Sequence, residues 1–164
     1  MGTKSKMAIS FILGIFLTAV SVVAAMPAFM FTTYESRYDF KTTVSKLEAS
    51  AKSQEWRHSG TRMIGKNIAK HTGSDMPQIA VINLCKADYA RKILDAEAYR
   101  HVSVMMPCSV SVYNDDSGTT YVATMNTGLM GMMMGGPVRE VMSGPVSSFL
   151  SKLAATVATQ QTEK

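Results

Sequence analysis

The chain reads as an α+β protein: a two-layer domain of helices on a mixed or antiparallel sheet, preceded by one N-terminal transmembrane helix. Three observations predict this. From Tyr34 onward, short apolar runs of strand character alternate with stretches of helical spacing. A tight hairpin interrupts that alternation, which argues against a doubly wound fold and its regular parallel crossovers. A charge-free run fills residues 7–33. The 164 residues suffice for one domain, and a chain with 46% hydrophobic and 18% charged residues is not a disordered one.

The run MAISFILGIFLTAVSVVAAMPAFMFTT exceeds the roughly 20 apolar residues that span a bilayer. Small residues at Val23-Ala24-Ala25 would suit a signal peptidase, but the chain stays apolar beyond them through Met26, Ala28, Phe29, Met30 and Phe31. The reading preferred is therefore an uncleaved anchor over residues 7–30. Lys4 and Lys6 stay on the cytoplasmic side with residues 1–6, and the domain over residues 31–158 is exported. The expected location is the cell inner membrane, single-pass, with the C-terminal domain periplasmic. Ser10, Gly14 and Thr18 recur every four residues, a spacing that lets helices approach closely in lipid. No cysteine lies near the run for a lipoprotein anchor, and Lys6 breaks the myristoylation pattern.

Residues 31–36 are expected to form the first strand. Asp39 caps a helix whose buried face carries Phe40, Val44, Leu47 and Ala51. Residues 56–60 turn into a second short strand, and Met63, Ile64 and Ala69 mark a short helix. A loop at residues 72–77 leads to the buried strand QIAVINL, and Ala87, Ala90, Ile93 and Leu94 mark the next helix. In HVSVMMPCSVSVY, Val110 and Val112 alternate with Ser109, Ser111 and Tyr113, the period of a half-buried strand. Residues 114–118 (NDDSG) form the hairpin turn and residues 120–125 the return strand. The stretch GLMGMMMGG is too rich in glycine for a strong helix. A final helix starts near Pro145, and its tail, residues 159–164, is expected to fray.

Charge and motifs exclude several functions. Without Lys4 and Lys6 the basic residues exceed the 12 acidic ones only slightly and form no stripe, so nucleic acid is not an expected partner. There is no phosphate-binding glycine loop, no GxSxG elbow and no HExxH, and His58, His71 and His101 are widely spaced. No catalytic residue is assigned.

Cys85 ends one expected strand and Cys108 begins another. If those strands are neighbours, a disulfide is one reading, natural in an oxidising compartment and worth about 3 kcal/mol. Inert buried thiols, a metal or cofactor site, and sulfur handling are the others. A metal site would add His101, Met105, Met106 or Met125, a soft donor set suited to copper. Methionine itself is overrepresented, with 14 residues. Met130, Met132, Met133 and Met134 either pack under the last helix or form an adaptable surface for a partner or the bilayer.

Around Cys85-Lys86-Ala87-Asp88-Tyr89-Ala90 and Met106-Pro107-Cys108 the chain resembles the domain-of-unknown-function 302 family, in particular membrane-anchored exported members with two cysteines. Glu35-Ser36, Trp56, LCKADYARKIL, VSVMMPCSVSVY and MNTGLMGMMMGG carry the resemblance in order, over roughly residues 30 to 155. Ser109 stands where relatives often carry a basic residue. The resemblance implies a compact α+β domain, often dimeric, with no established catalytic activity. The expected function is a membrane-anchored binding or accessory protein, acting as a homodimer or within a membrane complex, respiratory or photosynthetic, with no cofactor. The alternatives are a copper- or haem-binding redox protein at Cys85 and Cys108, and a thiol- or sulfur-handling protein.

Overall fold

The computed structural model describes residues 11–18, 20–21 and 29–162. Residues 11–18 and 20–21 are helical and expose Phe11, Ile12, Ile15 and Phe16. Within this segment Thr18 Oγ1 donates back to the Gly14 carbonyl. Among the described residues no helix is long and apolar enough to cross a membrane. Much of the expected 7–30 anchor, including Ser10 of the small-residue repeat, lies outside them.

The body of the chain is one six-stranded sheet in the order β2-β3-β4-β5-β1-β6. The strands are β1 (Phe31–Ser36), β2 (Arg57–Met63), β3 (Ile79–Cys85), β4 (Cys108–Asn114), β5 (Thr120–Met125) and β6 (Ala158–Thr162). Every pairing is antiparallel. The sheet is therefore not mixed: each return follows a hairpin or an antiparallel helical connection. The helices are α1 (Phe40–Ser53), α2 (Ile64–Thr72), α3 (Ala87–Leu94), α4 (Thr127–Met134), α5 (Gly136–Val141) and α6 (Ser147–Ala155).

Alternation along the strands sets the core. Ala80, Ile82, Leu84, Val110, Val112 and Val122 are fully buried, and the register stacks Ile82 on Val110 and Val112 on Val122. Helix α1 meets this face through Phe40, Leu47 and Ala51, and α6 through Phe149, Leu150 and Leu153. Asp39 caps α1 by accepting from Thr42 N at 3.0 Å, and this bond, with that of the Thr42 hydroxyl, holds its carboxyl below the ordinary range. On the opposite face lie smaller or polar side chains. Asn83 accepts from Ser109 Oγ at 3.1 Å and donates to the Gly60 carbonyl.

Two expectations change. The fraying expected at the C-terminus gives way to β6, whose backbone pairs with β1 at the sheet edge. Strand β4 begins at Cys108, as expected, and residues Glu97–Met105 before it coil as a 3-10 helix, which carries the chain over the end of the sheet. The glycine-rich stretch is helix α4, capped by Asn126, because it packs rather than stands alone. A Cβ on Gly131 would run into Ser143, so glycine there lets α4 sit against the next helical segment. The last helix starts at Ser147, near Pro145 as expected. Pro145 lies within a π-helical turn, Met142–Val146, that joins α5 to α6.

Candidate functional site

Strand β3 ends at Cys85, and α3 leaves from Lys86. The chain returns through the 3-10 segment and a cis Met106–Pro107 peptide to Cys108, the first residue of β4. These connections meet α5 and the π turn over the end of the sheet. Between them is a cavity of about 30 Å³. That is room for a few water-sized spheres at most, enough for an ion and too little for a drug-sized molecule.

Five sulfur-bearing residues stand among the apolar side chains of the wall. Cys85, Cys108, Met105, Met106 and Met142 line the cavity, with Trp56, Tyr89 and Lys86. Trp56 is nearly buried. It stacks on Phe149 with ring centroids 3.8 Å apart and planes 9° off parallel, and it meets Tyr89 edge-on at 5.9 Å. Lys86 brings the cationic head, 3.6 Å from the exposed Glu55 carboxylate and 5.9 Å from the Tyr89 ring.

Both cysteines are free thiols, so the disulfide expected between them is not formed. The register explains this: Leu84, not Cys85, stands opposite Cys108, and Arg57 stands opposite Cys85. A disulfide needs closely matched Cα and Cβ positions, which a one-residue offset does not supply. Burial pushes the Cys108 thiol up to about 11, and the nearby Cys85 charge adds to the rise. Cys108 is thus a protonated, unreactive thiol at neutral pH unless something displaces the proton.

The expected metal set divides. Cys85 and Cys108 come together, as do Met105 and Met106. His101 is exposed on the 3-10 segment and is not part of the wall. Met125 lies in β5 next to Thr124, which is buried among the core strands, so alternation turns Met125 to the other face. Met142 and Trp56 join the site without having been singled out for it. From the sequence Trp56 only opens a turn. Among the described residues no three of His, Cys, Asp and Glu gather in a group that could hold a metal ion.

The methionine stretch also divides. Met132 and Met133 are exposed, at 62% and 65%, while Met130 and Met134 are half-buried and Met134 packs on the core. Asn126, at the start of α4, donates from its backbone N to the Met30 carbonyl and from Nδ2 to the Phe29 carbonyl. These bonds tie α4 to the chain just before β1.

A second, polar hollow of about 570 Å³ lies on the other side of Trp56, between α1 and β2. It contains Glu48, Lys52, Arg57 and His58. Thr61 donates its hydroxyl to Glu48 and so accepts from Nε2–H of His58 at 2.9 Å, with Glu48 3.5 Å from the same nitrogen. The His58 nitrogen facing Thr61 carries a proton, so it is not placed to take the Thr61 hydroxyl proton. Sequence spacing gave no sign of this cluster, because the three residues come from two elements.

Comparison with known proteins adds the family. A family model described as domain of unknown function DUF302 matches residues 32–158. A crystal structure of an uncharacterized conserved protein of that family from Bacillus stearothermophilus superposes with a TM-score of 0.67 at 18% identity, covering 78% of this chain and 98% of that one. At that identity the likeness is one of fold. No curated protein matches.

Proposed function

The chain belongs to the domain-of-unknown-function 302 family, and on that footing we propose that it is a membrane-anchored, exported binding domain without catalytic activity, which holds a small, soft ligand over the end of its sheet. One observation carries this reading: two free thiols and three thioethers, drawn from three stretches of the chain, line a single apolar cavity beside Trp56. Soft sulfur donors in an apolar surround suit a small, soft ligand, and Lys86 is the cationic residue of the same wall. The anchor is supported by the length of the charge-free run over residues 7–33 and by the two lysines before it.

A second reading, that of an accessory subunit in a membrane complex or a homodimer, draws on Met132 and Met133. They are exposed near the C-terminal end of α4 and offer an adaptable apolar surface to a partner.

Gentle detergent extraction of the full-length protein, followed by intact-mass and elemental analysis, tests the main reading. The expected result is an uncleaved chain that retains a ligand, and loses it in the Cys85→Ala/Cys108→Ala variant. An unliganded chain with both thiols as readily alkylated as in the denatured protein would contradict it. Recovery in a large complex of fixed stoichiometry, abolished by Met132→Lys/Met133→Lys, would favour the second reading.

A further inference from the structure

We propose that the ligand of the sulfur-lined cavity is a single Cu(I) ion, held by the thiolates of Cys85 and Cys108 with a thioether of Met105, Met106 or Met142 completing the shell. The proposal rests on the reading of this cavity as a ligand site and names its occupant.

The donor set decides the ion. Thiolate and thioether sulfurs are soft ligands that select Cu(I), whereas imidazole and carboxylate suit zinc, iron or Cu(II). The cavity wall offers the first kind and no histidine or acidic side chain. Zinc, which takes four ligands of thiolate, imidazole or carboxylate type, would find only two here. Cu(I) tolerates low coordination numbers and gains from an apolar surround that keeps water out. The cavity volume of about 30 Å³ matches one ion with no hydration shell.

Charge balances as well. Cu⁺ replaces the protons of two thiols, forming two Cu–S bonds and releasing two H⁺, with no electron transferred. The resulting bis-thiolate carries one negative charge, and Lys86 is a cationic residue of the same wall.

The test uses the full-length chain in detergent, kept anaerobic, with Cu(I) delivered as its acetonitrile complex and bicinchoninate as competitor. The expected result is one Cu(I) per chain and no retention of Zn(II) against an equally strong chelator. Cys85→Ala and Cys108→Ala should each weaken retention more than about 100-fold, beyond the 10–100-fold that changes outside the ligand shell cost. The volume-conserving triple variant Met105→Leu/Met106→Leu/Met142→Leu should fold and weaken it about tenfold. Lys86→Gln should weaken it several-fold without altering the stoichiometry. Failure of the wild type to hold Cu(I), or equal retention in the triple-methionine and double-cysteine variants, overturns the proposal. Should the native extract then carry a different adduct that depends on Cys108, copper alone falls. Should the cavity be empty there too, the wider ligand-site reading falls with it.

Discussion

Trp56 separates two hollows of opposite chemistry. On one side Cys85, Cys108 and three methionines enclose a cavity of about 30 Å³; on the other Glu48, His58, Lys52 and Arg57 surround an open depression of about 570 Å³. The first is small and mostly apolar, built where three connections cross the end of the sheet. The second is broad and open, and its Thr61–His58–Glu48 cluster is already satisfied internally. Size alone would point to the larger hollow. Donor chemistry and enclosure point to the smaller one, because water competes with every polar contact in an open depression.

Removing the wall should have the largest effect. Trp56→Ala deletes a nearly buried indole stacked on Phe149 and opens the two hollows into one. A loss of about 3–5 kcal/mol is expected in chemical denaturation, together with loss of ligand retention. Unchanged stability would show that Trp56 is not the shared wall.

The next effect is confined to the sulfur side and read by pH. The folded state raises the Cys108 thiol from an ordinary 9.0 to about 11. The folded protein therefore holds a proton that the unfolded chain has given up in that interval. The stability this contributes is present in full below pH 9 and is lost as pH rises toward 11. Denaturation midpoints should fall across that window, and Cys108→Ala should remove Cys108's share of the fall. A wild-type slope equal to the variant's would mean that Cys108 titrates as a free thiol. The same shift lowers the thiolate fraction about 100-fold at pH 8, so iodoacetamide should label Cys108 slowly in the folded, empty protein.

The smallest effect belongs to the polar side. His58→Ala removes a part-exposed pair with Glu48 and a bond to Thr61, and should cost less than about 1 kcal/mol with no change in ligand retention. A large retention loss there would move the site across Trp56.

Periodicity and turn chemistry made the sheet readable. The hairpin over residues 108–125 follows from alternating valines around NDDSG, and α1 from Asp39 and its apolar face. What escaped was decided by tertiary context. The glycines of the 128–136 stretch look hostile to a helix until Gly131 is seen against Ser143. Strand β6 carries no apolar alternation and exists because β1 offers an unpaired edge. Cys85, Cys108, Met105 and Met106 were legible as donors from residue type and strand ends. Met142 was not, because it reaches the cavity from a segment 34 residues beyond Cys108, through a π turn that no pattern announces.

Copper K-edge absorption of the loaded full-length chain tests the central claim most directly. The account predicts a first shell of sulfur alone, with no imidazole scattering, since His101 and His58 lie outside the cavity wall. Nitrogen or oxygen neighbours at the metal, or an imidazole signature, would contradict it.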